Sequence, residues 1–482
     1  MAVSAGTGTT VSLLCGATVS MKDNFSVLDD PVTAGSKILQ GYVAPYDSTI
    51  AERVKQNKGI LLGRTNMDEH GMGSSSANSA YGPVVNPWTA PGQRPLSAGG
   101  SSGGASALVA AGVVDVSIGS DTGGSVRQPA SFCGLVGMKP SYGFLPRHGL
   151  LSYASSLDCP GIIAASTLDT AIALDSLTGS DSRDPTAIPG ITPYTDSLVV
   201  SRSGDKFEKY CKNPCVLAGV NIGIPDEFSV EGLDPSVLNA WEETIRMLVE
   251  AGAKVRVVSL PSLKLALPCY YVLACAEASS NLSRYDGIRY GYRHIDGDKS
   301  APREDAVKYS QTDQSADAFF RDLTRTRAKG FGPEVVRRIL TGTYVLSQSA
   351  YHDYFETAAR CRSIIHEEIR QCLSGAGDDA IHALVGPTAP HLPFVLGASA
   401  DPANMLLGDL YTIQANLAGI PAVSLPVDVA CIGSDNSQPV PIGMQFLGRY
   451  RDEARLLKIC RAVESRTDFV SKIPEWLQYG QP

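Results

Sequence analysis

Short apolar runs of strand length alternate along this chain with longer segments whose apolar residues recur every three or four positions. That alternation predicts an α/β architecture. One unit reads completely. Residues 220–224 form a strand that ends at Pro225, and Asp234 caps a helix with Pro235 at its first position. Leu238, Trp241, Ile245 and Leu248 follow at helical spacing, and Gly252 closes the helix. Val255 and Val257 then alternate with basic residues in a second strand, which makes the unit a parallel β-α-β. Further helices are predicted over residues 333–346, 351–373 and 452–465. Buried strands are predicted over 113–118, 380–385 and 442–447. Residues 181–193 and 311–316 are the weakest in pattern and read as surface loops. There is no internal repeat, and no linker is long enough to force a division into domains.

Composition narrows the class. In 482 residues, 43% are hydrophobic, 19% are charged and the net charge is −8, which suits a globular protein with a large core. An acidic chain is poorly suited to neutralising many phosphates by itself. No apolar run approaches the roughly 18 residues of a membrane helix, so no membrane role is expected. Residues 1–21 carry no charge, whereas a secretory signal has a basic start and a mitochondrial presequence has arginines. The 11 cysteines are scattered and odd in number, which fits a reducing compartment better than a disulfide framework. The 7 histidines form no H-E-x-x-H pattern, and no metal site is expected.

Glycine distribution singles out one region. Between Ser97 and Ser125 lie 8 of the chain's 47 glycines, an enrichment of about threefold, in two clusters separated by an apolar helix and strand. That apolar interlude is foreign to a flexible linker. Neither cluster holds the lysine of a Walker loop, and no G-x-G-x-x-G is present. Gly99–Gly103 fits G-x-S-x-G, but the buried strand that must precede a nucleophile elbow is missing. A fourth reading uses both clusters. Consecutive glycines allow close backbone approach and aim several N–H groups at one point. A serine directly after such a run, as Ser125 is, sits beside its own oxyanion hole. A serine nucleophile needs a base, and without a convincing histidine the Ser-Lys variants come forward.

Three segments in order carry a resemblance. Val19-Ser-Met-Lys-Asp-Asn24, Ser97-Ala-Gly-Gly-Ser-Ser-Gly-Gly104 and Gly119-Ser-Asp-Thr-Gly-Gly-Ser-Val-Arg-Gln-Pro129 together resemble the amidase signature family. The resemblance implies an α/β fold of that family, with a central mixed β-sheet covered by helices on both faces. It implies one amidase domain over residues 1–482, with a signature core over about 19–140. It implies a Ser-cis-Ser-Lys triad: Ser125 as nucleophile, Ser101 after a cis peptide as the bridge, and Lys22 as base. Thr122, Gly123 and Gly124 would form the oxyanion hole. The chemistry is consistent, because a lysine base must be neutral and burial lowers its pKa.

Within that family the chain is similar to the A subunits of glutamyl-tRNA(Gln) amidotransferases. The likeness runs through residues 65–74, 81–88, 132–140, 276–284, 332–339 and 416–424. It implies a glutaminase that forms a glutamyl-serine ester and passes ammonia to a partner subunit. That partner would use ATP and Mg²⁺ to convert Glu-tRNA(Gln) to Gln-tRNA(Gln), and this chain would hold no cofactor of its own. The implied partners are the B subunit of the amidotransferase and a small third subunit, with tRNA bound mainly by the partner. Arg338 would hold the α-carboxylate of glutamine, Asp409 the α-ammonium, and Tyr270 would line the pocket. Two other roles remain open: a stand-alone amide hydrolase and an inactive scaffold subunit. The family has a longer helical region before its catalytic lysine, so the N-terminal region here reads either as truncated or as an unusual lead. The wording of residues 22–26 and 41–46 resembles organellar forms, which implies the mitochondrial matrix, with the cytoplasm as the alternative.

Overall fold

In a computed structural model of the chain, the described residues are 12, 14–190, 215–294, 316–375, 377, 380–397, 406–433 and 438–480. Ten strands among them make one sheet. In chain order they are β1 (Thr18–Lys22), β2 (Ile60–Thr65), β3 (Val116–Asp121), β4 (Val136–Lys139), β5 (Cys159–Ala164), β6 (Asn221–Pro225), β7 (Lys254–Val258), β8 (Ala383–Pro387), β9 (Ala422–Ile432) and β10 (Gln438–Gly448). Across the sheet the order is β2-β1-β3-β5-β4-β9-β10-β8-β6-β7. The two ends are parallel and the middle is antiparallel, so the sheet is mixed.

Side chains of a strand alternate between faces, so a strand buried at every position is covered on both. Strands β3, β4, β5 and β8 are buried at every residue. Helices therefore cover both faces there, as the resemblance implies. At the edges the cover ends, and β2 exposes Ile60 and Leu62 while β7 exposes Val257.

The β-α-β unit forms with its helix over Pro235–Glu250 and its strands β6 and β7 parallel, Ile222 facing Val255. Asp234 accepts the Ser236 N–H at 2.8 Å as the cap, and Gly252 turns the chain at φ +93°. The apolar stripe is rotated from the expected one. Val237, Ala240, Trp241, Thr244, Met247 and Leu248 are buried, while Leu238 is 40% exposed. The buried stripe is centred on Ala240, Trp241 and Thr244, and Leu238 falls outside it. The helix expected over 351–373 opens with one π-turn, His352–Glu356, before Thr357–Ser374. The late strand is longer than expected and pairs with β9 as a long hairpin. Residues 311–315 of one expected loop, and 191–193 of the other, lie outside the described residues.

One difference matters for chemistry. The strand expected over 113–118 runs instead over Val116–Asp121, so Gly119, Ser120 and Asp121 belong to β3 and not to a loop. Strands β1 and β3 are parallel neighbours, with Met21 opposite Ile118. Lys22 at the end of β1 therefore lies beside the end of β3, where the second glycine cluster begins.

Candidate active site

Lys22 ends β1 with its side chain fully buried. Its Nζ lies 2.7 Å from Ser101 Oγ, 3.0 Å from Ser120 Oγ and 3.3 Å from the Ser120 carbonyl. Burial pulls its pKa from the ordinary 10.5 down to about 7, against the opposing pull of Asp68, Asp121 and Asp158. A large share of this lysine is thus neutral near pH 7, with a lone pair available to a hydroxyl proton. Asn24 Nδ2 donates to Ser120 Oγ at 2.9 Å and fixes that hydroxyl from the far side.

Ser101 stands before the Gly103–Ala110 helix and follows a cis Gly100–Ser101 peptide bond. The Ser102 N–H donates to the Ser125 carbonyl at 3.1 Å, which sets the two serine motifs side by side. Ser125 is half-buried and so open to a ligand, whereas Lys22 and Ser101 are closed off from solvent.

The turn that carries Ser125 is held from below by a buried ion pair. Arg127 donates from Nε to Asp121 Oδ2 at 3.0 Å and from Nη2 to Asp121 Oδ1 at 2.9 Å, with both side chains 0% exposed. Burial alone would raise the Asp121 carboxyl, yet Arg127 beside it holds it down to about 2. Asp121 also accepts the Gly124 N–H at 2.9 Å and the Val126 N–H at 3.1 Å. This corrects one expectation: the Gly124 N–H is engaged within the turn, not aimed at a ligand. Among the described residues the N–H groups of Thr122, Gly123 and Ser125 have no such engagement. Gly124 instead serves through shape, with φ +138° and Thr412 packed where a Cβ would stand.

Tyr270 lies over this turn. A Cβ on Gly123 would stand 2.5 Å from Tyr270 Cζ and 2.6 Å from its hydroxyl. Arg338, on the Pro333–Val345 helix, is buried; its Nε meets Glu334 Oε1 at 2.7 Å and its Nη1 meets the Tyr153 hydroxyl at 2.6 Å. Its Nη2 has no hydrogen bond among the described residues. The neighbouring Arg337 is exposed and paired to Glu334, so it is Arg338 that points inward. Asp409 Oδ2 accepts the Tyr271 hydroxyl at 2.7 Å, and its Oδ1 is without a partner among the described residues. Burial raises the Asp409 carboxyl to about 6, while Tyr271 and Arg338 pull the other way. Tyr271 joins the two charges: its ring lies 5.4 Å from the Arg338 guanidinium carbon. Thr412, one turn beyond Asp409, donates to the Gly123 carbonyl at 2.5 Å and ties this charge pair to the turn that carries Ser125.

Sequence reasoning missed Tyr153, Tyr271 and Asp158. Asp158 accepts the Thr122 hydroxyl at 2.7 Å and the N–H groups of Tyr153 and Ala154 at 2.9 and 3.0 Å, so it links the turn to the arginine's partner. None of the three lies in a patterned motif, and only the fold brings them in. Ser120, Asp121 and Arg127 lie inside the Gly119–Pro129 motif, where the glycine pattern singles out only Ser125. Among the described residues no group of three or more His, Cys, Asp or Glu could hold a metal, no helix is long and apolar enough to cross a membrane, and the cysteines are free.

A buried lysine hydrogen-bonded to a serine, beside a glycine turn that presents a second serine, is equipment for acyl transfer. The chain is 44% identical over 464 residues to the A subunit of glutamyl-tRNA(Gln) amidotransferase from Chromohalobacter salexigens, covering 96% of this chain and 85% of that one. It is 42% identical over 471 residues to the A subunit from Cyanothece sp., covering 97% and 88%. The crystal structure of the Thermotoga maritima A subunit superposes with a TM-score of 0.72 at 34% identity, over 97% of this chain and 87% of that one. The amidase family profile matches residues 2–457, and the chain belongs to the amidase family.

Proposed function

We propose that this chain is the glutamine-hydrolysing A subunit of a glutamyl-tRNA(Gln) amidotransferase, with residues 1–482 as one amidase unit. One observation carries the choice of substrate. Among the described residues Arg338 Nη2 and Asp409 Oδ1 are both uncommitted, Tyr271 touches both groups, and Thr412 and Tyr270 connect them to the Gly123 turn that leads to Ser125. A free guanidinium nitrogen and a free carboxylate oxygen suit the α-carboxylate and α-ammonium of an amino acid. The relatives that carry this subunit's name, alike over nearly the whole chain, support the same reading.

In the reaction, neutral Lys22 takes the proton of Ser101 as Ser101 takes that of Ser125. The Ser125 oxygen attacks the side-chain amide carbon of glutamine, and the oxyanion faces the N–H groups of Thr122 and Gly123, with that of Ser125 itself. The relay returns the proton to the amide nitrogen, and ammonia leaves from a γ-glutamyl ester on Ser125. Water then enters by the same relay and releases glutamate. The ammonia goes to the B subunit of the complex, which a small third subunit assists. ATP and Mg²⁺ act there, and tRNA is held mainly there. The acidic balance of this chain fits that division of labour.

The relatives described above are bacterial, and none brings an organelle with it. Mitochondrial residence rests on the wording of residues 22–26 and 41–46 alone, and a cytoplasmic setting suits the chain equally.

The test is ammonia and glutamate release from glutamine by the full chain with its partner subunits. Ser125→Ala abolishes both. Release that continues in Ser125→Ala at the parent rate refutes the mechanism. Equal turnover of amides lacking an α-amino acid group refutes the choice of substrate.

A further inference from the structure

The segment between β2 and the first glycine cluster has no part in the relay just described, yet it holds a carboxylate, Asp68, that is 0% exposed. Its Oδ2 accepts the N–H groups of Ser76 at 2.8 Å and Ser75 at 3.3 Å, and its Oδ1 accepts that of Asn78 at 3.0 Å. No basic side chain hydrogen-bonds to it among the described residues. Burying a charge this way has a high cost unless several donors surround it. A fold that retains such a group without a paired cation has used it for something local.

What it holds is the turn of Ser101. The Asp68 N–H donates to the Ser101 carbonyl at 3.2 Å. The Ser76 hydroxyl accepts the Gly103 N–H at 2.9 Å and lies 3.4 Å from the Ser101 carbonyl. A Cβ on Gly100 would overlap Asp68 Oδ2, and one on Gly73 would stand 2.5 Å from Asp68 Cγ. The carboxylate thus sits in a slot between two glycines, one of them adjoining Ser101. From the far side Gln128 Oε1 accepts the Gly100 N–H at 2.8 Å, and Gln128 Nε2 donates to the Ser74 carbonyl at 3.2 Å.

We propose that Asp68 is a positioning residue for amide hydrolysis: its buried carboxylate holds the Ser74–Asn78 loop against the Gly100–Ser101 turn and so keeps the bridging serine aligned with Lys22. The inference rests on the proposed hydrolysis at Ser125. It has an electrostatic consequence that a purely structural brace would lack. Three carboxylates act on Lys22: Asp68, Asp121 at the end of β3, and Asp158 just before β5. Asp121 is matched by Arg127, and Asp158 is engaged by Thr122 and two N–H groups. Asp68 exerts the largest of the three attractions on the Lys22 ammonium. Removing its charge makes Lys22 give up its proton more readily, so the acid limb of the rate profile moves to lower pH.

The experiment measures glutamine hydrolysis against pH for the full chain with its partner subunits, in parent, Asp68→Asn, Ser76→Ala and Ser125→Ala. A Ser125→Ala variant that still hydrolyses glutamine sinks the reading of function itself, separately from this proposal. With Ser125→Ala inactive, Asp68→Asn is expected to lower kcat about tenfold or more, because small misplacement of a reacting group is costly. Its KM stays within about twofold, since Arg338 and Asp409 lie on other elements, and its acid limb falls to lower pH. An unmoved acid limb, or kcat at the parent level, overturns the proposal. Where Asp68→Asn does not accumulate as folded protein, Ser76→Ala decides. A kcat lowered about threefold or more at unchanged KM and Tm supports the brace. An unchanged kcat overturns it.

Discussion

Replacing Lys22 by methionine should make this protein more stable and catalytically dead, and the two effects have one cause. The fall of its pKa from 10.5 to about 7 corresponds to about 5 kcal/mol against holding the ammonium in the fold. The sign follows from proton counting. Between about pH 7 and 10.5 the unfolded lysine is protonated while the folded one is largely not, so stability rises with pH in that window. Below about pH 7 both states carry the proton and the penalty is present in full. Methionine has a similar length and no charge. It removes the penalty and loses hydrogen bonds to Ser101 and Ser120, each worth about 1 kcal/mol net. A gain of a few kcal/mol near neutral pH is expected, shrinking by about 2 kcal/mol from pH 7 to pH 9. Thermal unfolding of parent and Lys22→Met across that range measures it. In the same preparations the parent kcat/KM for glutamine should fall about tenfold per unit below an acid limb near 7. Ammonia release follows that limb. A stability difference that does not change with pH would refute the reasoning, as would an acid limb in the ordinary carboxylate range.

Two further predictions concern Asp409 and Gly123. Asp409 must be ionised to hold an ammonium, and burial places its pKa at about 6, so KM for glutamine should rise as pH falls through about 6, in addition to the loss of kcat that protonation of Lys22 brings. A flat KM across that range would remove Asp409 from substrate binding. Gly123→Ala sets a Cβ 2.5 Å from the Tyr270 ring, so ring or turn must shift, and kcat/KM should drop about a hundredfold while the chain remains folded. Parent-like kinetics in that variant would show that the turn tolerates displacement and does not position the oxyanion.

The class of fold and the candidate site residues were legible in the sequence because both depend on local features. The β-α-β unit follows from periodicity with its Asp234 cap and Gly252 stop, and it stands where it was expected. The glycine clusters show themselves by composition and point to Ser125, while it is the resemblance of three motifs to the amidase family that implies Lys22 and Ser101 as its partners. Other decisions needed contacts between residues far apart in the chain. Nothing local says that Leu238 faces solvent, because the stripe of a helix is centred by what packs on it. Nothing local says that the Gly124 N–H is taken by Asp121, because that depends on β3 running three residues further than its apolar pattern. Tyr153, Asp158 and Tyr271 join the site only through pairings such as that of Tyr153 with Arg338, 185 positions away. The lysine shows the division most plainly. The sequence supplies its amine and its place in a motif. Only the tertiary structure, by removing water from around it, brings the pKa of that amine down to about 7.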